Sequence, residues 1–380
     1  MAFTYSRTIT IDHTKCGSTT DTSNFPVLIS GTYSYLATTP TGNIQNTVTS
    51  NGITIPADLG FYSDAGLTTK LAWEVAAYTA SSGLIEAWVK LPTLSHSSDT
   101  LGNNTFYMAY GDSSVTTDQS NMTGTWNDGG SNYYKGVYHL EDNTTGTVVK
   151  DSSPNAKNLT YHNTNTSNAS ATAQIGRGFN IAQTSANRAD TSDSSFIAAG
   201  DFTLECWVKP ASSPTNVYQA LIVNGDGGGA NRNYGMFLSG AGTSKMYLVI
   251  NNTTQADNSI TWTAGAWNHI IFTQHNGGNA VVYMNSTNVF STASGQNTGT
   301  TASYNTYVGG ENASYPVTNL LDECRISLGI ARSADYVKAC YNNQNAPDKA
   351  TFGSSGFYTI GSAVTHQPAV GGTLGLMGVG

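Results

Sequence analysis

Charge is what this chain has least of. Asp, Glu, Lys and Arg make up only 11% of its 380 residues, against roughly 25% in an average soluble protein. Helical surfaces are normally built from Lys, Glu and Arg. Here Ser, Thr, Asn and 40 glycines take their place, and those residues suit strands and turns. A mainly helical fold is therefore excluded. Basic residues number 16 against 24 acidic ones, for a formal net charge of −8. They are scattered, which argues against the clustered basic surface a nucleic acid requires. No stretch reaches the roughly 18 apolar residues of a membrane span. The start, Met1 to Arg7, has no charged segment leading into an apolar run, so no secretory signal is expected. Cysteine is sparse too. Cys16, Cys206, Cys324 and Cys340 stand far apart without CxxC spacing, which fits neither a zinc site nor a dense disulfide framework. Cys324 and Cys340 would meet only if the last strand and a following helix pack together.

What is present is alternation. Phe202, Leu204, Cys206 and Val208 share one face of an extended stretch that ends at Pro210, the pattern of a half-buried strand. Trp207 breaks the polar face, so that face must be covered as well. An interior strand of a sandwich meets both demands, and Cys206 reads as a buried thiol. Similar short runs recur along the chain with Gly, Asn, Asp and Pro between them, which indicates β-sandwiches. The expected class is all-β: two β-sandwich domains in series, at 1–115 and 135–346. Residues 116–134 read as a polar linker anchored by Trp126. Ser333 to Tyr341 reads as one short helix capped by Ser333. Residues 347–380 read as a glycine-rich tail whose Leu374, Leu376, Met377 and Val379 suit an arm that docks on another subunit or folds back. The competing reading is a disordered terminus.

Several stretches in order resemble a laminin-G/concanavalin-like jelly roll of the kind found in bacterial and phage proteins. They are Gly136-Val-Tyr-His-Leu-Glu-Asp142, Val149-Lys-Asp-Ser-Ser153, Ile175-Gly-Arg-Gly-Phe179, Asp201–Pro210, Trp267–Thr273, Tyr307-Val-Gly-Gly310 and Leu321–Ser327. The first 115 residues are similar to a small β-domain of unassigned function that often precedes such a module. The resemblance implies a two-domain surface or virion protein with a binding or structural role. It also implies a calcium ion joining the first strand to the last, with Glu141, Asp142 and Asp322 as ligands.

Catalytic chemistry finds little support. A glycosidase needs two carboxylates across the scissile bond, and the Glu-x-Asp-x-x-Glu strand of the glucanase relatives does not occur. Asp322 and Glu323 are adjacent and point to opposite faces of a strand, so Glu323 reads as an ion-pair partner of Arg325 or Arg332. No HExxH or GxSxG motif occurs. Aromatics in loop-like stretches are the candidate glycan contacts: Tyr133, Tyr134, Trp262, Tyr304 and Tyr315. The expected protein is a non-enzymatic subunit of a tailed-phage virion, a head decoration, fibre or tail appendage, that forms homo-oligomers and meets other virion subunits through its tail. The alternatives are a glycan-binding adhesin module of a cell-surface protein and, less well supported, a glycoside hydrolase. No nucleic acid and no membrane is expected as a partner.

Overall fold

The computed structural model describes residues 3–99, 104–141, 147–162, 171–181, 187–198, 200–211, 218–227, 231–239, 245–258, 260, 262–292, 303–311, 315, 317 and 319–366. The first part of the chain forms β1 (Tyr5–Ile11), β2 (Thr22–Thr32), β3 (Thr47–Ser50), β4 (Ile53–Pro56), β5 (Leu59–Tyr62), β6 (Trp73–Thr79), β7 (Leu84–Leu94) and β8 (Thr105–Tyr110). A short turn of helix, α1 (Met122–Thr125), follows. Then come β9 (Tyr134–Tyr138), β10 (Val148–Val149), β11 (Leu159–His162), β12 (Ala171–Thr172), β13 (Arg177–Ile181) and β14 (Arg188–Thr191). The long strands of the second part are β15 (Phe202–Pro210), β16 (Gln219–Gly225), β17 (Arg232–Ser239), β18 (Lys245–Ile250), β19 (Thr253–Asn258) and β20 (Asn268–Gln274). They continue as β21 (Ala280–Met284), β22 (Thr287–Ser291), β23 (Asn305–Val308) and β24 (Asn319–Leu328). The last described elements are α2 (Ala334–Asn345), α3 (Lys349–Phe352) and β25 (Tyr358–Thr365).

The second part is a sandwich of two antiparallel sheets. One runs β12-β13-β24-β15-β20-β21-β22 with β9 also paired to β24, and the other runs β10-β11-β14-β23-β16-β17-β18-β19. Phe202, Leu204, Cys206 and Val208 enter the core between them together with Tyr234, Met236, Leu248 and Phe272. The other face of β15 is covered by a helix and not by a third sheet. Trp207 is 1% exposed, donates its indole N–H to Gln344 Oε1 at 2.6 Å and stacks near Tyr341 of α2.

The first part holds a three-stranded sheet, β2-β7-β6, and a four-stranded sheet, β25-β1-β8-β5. The end strand of the second sheet therefore comes from the far end of the chain. Residues 347–366 are no free tail: β25 pairs antiparallel with β1 from Tyr358 opposite Ile11 to Thr365 opposite Tyr5. The proposed docking residues of the tail, Leu374 to Val379, lie outside the described residues.

Helix α2 joins the two parts. Tyr336, Val337, Ala339 and Cys340 belong to the apolar core of the first part, although the helix follows the last strand of the sandwich. Its Asn343 side chain accepts from Leu28 N at 2.7 Å and donates to Leu28 O at 3.0 Å. That amide satisfies the backbone of edge strand β2 where a further strand would otherwise pair. Ser333 caps the helix, its hydroxyl oxygen accepting from Tyr336 N at 3.2 Å. The next residue but one, Asp335, receives the backbone N–H groups of Ser18, Thr19 and Thr20 at 2.9, 3.1 and 2.8 Å. Gly17 permits this wrap, because a Cβ there would lie 2.0 Å from Asp335 Oδ1.

Most residues of the expected linker, 116–134, are exposed or half-buried, and its tryptophan anchors it. Trp126 is fully buried in a separate apolar cluster with Leu28, Trp88, Tyr134, Val137 and Ile175, which draws on both parts of the chain.

Candidate functional site

Among the described residues four places stand out as candidate sites. The first is a chain of buried charges at the junction of the two parts. Arg325 of β24 lies over the neighbouring rings of Trp88 and Trp126, 4.3 and 4.9 Å from their centroids, an arrangement that favours a cation. It donates to Glu205 Oε1 at 3.1 Å and to Glu323 Oε2 at 2.8 Å. Glu323 also meets His139 Nδ1 at 2.8 Å, and Glu74 of β6 lies 3.4 Å from His139 Nε2. Glu74 further accepts from the Trp126 indole and the Ser152 hydroxyl, both at 2.5 Å. Burial would drive the His139 imidazole neutral, but Glu323 and Glu74 outweigh it and keep its pKa well above the ordinary value. Glu323 is thus the ion-pair partner of Arg325 that its sequence position suggests. It occupies a bulge in β24 with φ of 47°, a left-handed conformation that is costly for a residue with a side chain.

Glu205, His269 and Cys340 bring their ligand-type atoms within 4.8 Å of one another. This set is better explained as part of the same charge network than as a metal centre. Glu205 Oε1 already receives Arg325, the Cys340 thiol at 3.2 Å and Gln344 at 2.9 Å, with His269 Nε2 at 3.1 Å. Burial also pushes the Cys340 thiol well above its ordinary pKa, and the Arg325 guanidinium bonded to the same carboxylate oxygen would repel a cation.

The second place is acidic. Glu141, which follows β9, abuts Glu86 of β7, and both lie near Asp322 of β24. Glu141 Oε1 and Glu86 Oε2 crowd Gly176, where a Cβ would lie 2.1 and 2.2 Å from them. Asp322 Oδ2 accepts from Ile175 N at 2.8 Å. Asp322 Oδ1 is buried without a hydrogen-bond partner, and the Glu86 carboxyl shares a hydrogen bond with that of Glu141. Burial, with Glu86 and Asp322 alongside, raises the Glu141 carboxyl to about 10. Two carboxyl groups so placed are held together only by a proton or a cation. The donor set, all hard oxygen, fits calcium. Asp142 lies outside the described residues. Glu86 was not foreseen, since it comes from the other part of the chain.

The third place is an aromatic cluster on the outer face of the β16–β19 sheet. Phe237 and Tyr307 are buried there beside half-buried Tyr247 and Tyr315. Tyr218, 36% exposed, lies 4.8 Å from Tyr247 and 6.1 Å from Tyr315 between ring centroids. Beneath them Arg232 is bonded to Glu311, with Nη2 to Oε2 at 2.6 Å, and its guanidinium lies 4.8 Å from the Phe237 ring. Of the aromatics singled out in the sequence, Tyr315 falls in this cluster. Tyr304 is half-buried, and its carbonyl accepts from Asn224 at 3.1 Å. Tyr134 and Trp262 are corrected. Tyr134 is 1% exposed and bonds Tyr336 through its hydroxyl, and Trp262 is 4% exposed within the sandwich core. Both rings turn inward, as large apolar surfaces beside loops often do.

The fourth place is a cleft of about 310 Å³ where the two parts meet, with Tyr133 on its wall. All four cysteines are free and buried, so Cys324 and Cys340 are not bridged.

Residues 183–338 match the family model of the concanavalin A-like lectin/glucanases superfamily. Within the second part, residues 183–338 are thus similar to a concanavalin A-like domain. No curated protein matches the chain. Among solved structures, domain 4 of AbnA, an extracellular arabinanase from Geobacillus stearothermophilus in complex with arabinotriose, is 19% identical. The match covers 54% of this chain and 96% of that one, with a TM-score of 0.42. Trypanosoma rangeli sialidase is 14% identical at a TM-score of 0.40. The match covers 54% of this chain and only 32% of the sialidase. The receptor-binding domain of a botulinum neurotoxin C/D mosaic serotype is 11% identical, with 56% and 51% covered and a TM-score of 0.41. Similarity this low carries no functional argument. The concanavalin-like domain type itself serves both binding modules and glycosidases.

Proposed function

We propose that this chain is a non-catalytic glycan-binding protein displayed on a surface. The observation that carries the reading is the tyrosine cluster on the outer sheet face of the concanavalin-like domain. Tyr218, Tyr247 and Tyr315 offer ring faces to a sugar, and the Arg232–Glu311 pair beneath them fixes the platform. The acidic side chains central to the sandwich support a non-catalytic role. Glu205, Glu323 and Asp322 are each no more than 2% exposed and cannot flank a polysaccharide as acid and nucleophile. The display site we favour is a tailed-phage virion, as a homo-oligomeric decoration or tail subunit, with residues 367–380 as the contact to other subunits. A cell-surface adhesin module is the second reading, and the same tyrosine face supports it. Calcium, held by Glu86, Glu141 and Asp322, would reinforce the junction of the two parts.

The test is a glycan array and calorimetric titration with the full chain. Tyr218→Ala with Tyr247→Ala should weaken glycan binding about tenfold or more, a loss of roughly 1.4 kcal/mol. Absence of glycan binding by the wild type, or release of reducing sugar from a bound polysaccharide, would refute the reading. For the virion assignment, purified particles should contain the chain as a stoichiometric band.

A further inference from the structure

Apart from these four sites, the first part of the chain has a groove of its own. Its lining comes from β1, β25, the start of α3 and the residues just after β2. It holds about 390 Å³, within the roughly 300–1,000 Å³ of small-molecule sites. Tyr33, Tyr35 and Ile360 make its apolar walls, and Arg7 stands beside them. Arg7 shares a face of β1 with the core residues Ile9 and Ile11. A cation on the core-facing side of a sheet is uncommon unless it is paired. This one is held flat from three directions. Its guanidinium carbon lies 3.8 Å from the centroid of the Tyr35 ring. Its Nε donates to the Tyr110 hydroxyl at 2.9 Å, and its Nη1 donates to Gly361 O at 2.8 Å. Tyr35 is itself fixed in a stack, 5.6 Å from Tyr33 and 5.4 Å from Tyr110 between centroids.

What this arginine lacks is an acid. Arg188, Arg232, Arg325 and Arg332 each bond a carboxylate, and Arg7 has no such partner among the described residues. Arg7 is half-buried, and its Nη2 makes no hydrogen bond there and remains accessible. Two other ionised side chains line the groove. Asp348 is 2% exposed and turned away, accepting from the Tyr33 hydroxyl at 3.0 Å and from Ala350 N at 2.9 Å. Lys349 is balanced by Asp12 at 2.6 Å. The accessible charge left over is that of Arg7. An arginine held in one orientation with a free edge matches a carboxylate, and the apolar walls call for a hydrocarbon body attached to it. A phosphate carries more charge and three acceptor oxygens, more than one arginine edge and an already paired lysine satisfy.

We infer that this groove is a binding site for a small organic carboxylate, its anion on Arg7 Nη2 and its body against Tyr33, Tyr35 and Ile360. The site lies in the first part of the chain and does not rest on the glycan-binding reading. A simple organic acid and an acidic sugar share this chemistry, and the test separates them.

The experiment titrates the full chain with sodium benzoate and with glucuronate, read by calorimetry and by ligand-observed NMR. Benzamide, the neutral counterpart of benzoate, and inorganic phosphate are the controls. Three proteins are compared: the wild type, Arg7→Met and Thr359→Trp. Thr359 lines the groove and is exposed, so a Trp there fills it and leaves the arginine in place. Unchanged melting of Thr359→Trp confirms this, and that variant decides the matter if Arg7→Met disturbs the tyrosine stack. At least one carboxylate should bind the wild type where benzamide does not. Its affinity should fall as salt is raised and drop about tenfold or more in both variants. Binding of benzoate alone assigns the site to organic acids, and binding of glucuronate alone assigns it to acidic sugars. Benzamide binding as well as benzoate, phosphate binding more tightly than either carboxylate, or affinity untouched by Thr359→Trp would overturn the inference, as would no carboxylate binding at all. None of these outcomes touches the tyrosine platform, which Tyr218→Ala with Tyr247→Ala tests separately.

Discussion

Replacing Trp126 with Ala tests whether the two parts of the chain are one cooperative structure. The residue lies in a stretch whose polar composition suggests a linker, yet its ring is fully buried. It packs 5.5 Å from Trp88 and 5.2 Å from Tyr134 between centroids, and under the Arg325 guanidinium. Burying an indole removes roughly 150–250 Å² from water. At about 25 cal/mol per Å² this corresponds to about 4–6 kcal/mol, an upper bound because unfolded chains are partly compact. Truncations of this kind typically cost about 3–5 kcal/mol. Glu74 keeps Ser152 and His139 as partners when the indole is removed, so no bare buried carboxylate is added. We expect about 4 kcal/mol. With an unfolding entropy of about 2.1 cal/mol/K per residue, the 380 residues give about 0.8 kcal/mol/K. The melting temperature should then fall by about 5 °C if the chain unfolds as one unit. If only about half of it responds, the fall should be about 10 °C in one of two resolved transitions. Differential scanning calorimetry distinguishes these outcomes. A shift below about 1 °C would refute the placement of Trp126 in a shared core.

Other expectations concern charge. Burial alone would raise the Asp335 carboxyl, but the Thr19 and Thr20 hydrogen bonds overrule it and hold its pKa below the ordinary value. A carboxylate depressed in the folded state stabilises above its unfolded pKa, and that contribution is lost as pH falls through the folded value. Asp335→Asn should therefore destabilise by about 2 kcal/mol at neutral pH and flatten the acid limb of the stability curve below about pH 4, as urea melts across pH would show. Glu141 behaves oppositely. Its folded pKa of about 10 lies above the ordinary 4.5, so its contribution is complete below that value and is lost as pH rises towards 10. Metal-free protein should accordingly lose stability between those limits. Calcium at about a hundred times its dissociation constant should restore about 2.7 kcal/mol, and Glu86→Gln should abolish the effect of calcium. A melting temperature unmoved by calcium or chelator at pH 8 would remove calcium from the account. Arg325→Met should cost about 3–5 kcal/mol by leaving Glu205 and Glu323 buried and unmatched, measurable by denaturant unfolding. A loss under about 1 kcal/mol would show that the network is not held by its arginine.

The strands were legible because their residues alternate. Phe202 to Pro210 announced an interior strand, and the polar-side Trp207 announced a cover. The cover proved to be α2, which the Ser333 cap had placed in the sequence but not in space. Strand β25 was not legible. Most of its side chains are exposed or half-exposed, so it has no apolar period, and it exists through backbone pairing with β1. The partnership of Glu86 with Glu141 and Asp322 was hidden for a different reason. It depends on how the two parts pack, and no spacing within one strand encodes that. Tyr315 could be named as an exposed aromatic from its loop-like surroundings. Its companions Tyr218 and Tyr247 required knowing which sheet face is outward.

The order of the elements changes what the two parts are to each other. β1 and β8 lie side by side, and β25 completes their sheet only after the whole sandwich and α2 have intervened. In sequence the sandwich is thus inserted between β8 and β25. The inserted element carries on its outer face the helix that fills the core of the first part, through Tyr336, Val337 and Cys340. A fragment ending near residue 115 would lack β25, leaving one edge of β1 unpaired, and would lack the Asn343 amide that satisfies β2. Exposed edges of that kind invite association. The buried charges fit the same logic. Glu74 comes from the first part and His139, Glu323, Arg325 and Glu205 from the second. Partners of opposite sign must all arrive in register before any is satisfied. An apolar junction would tolerate sliding, whereas this one accepts a single alignment, and the cleft and the acidic cluster both depend on that alignment for their shape.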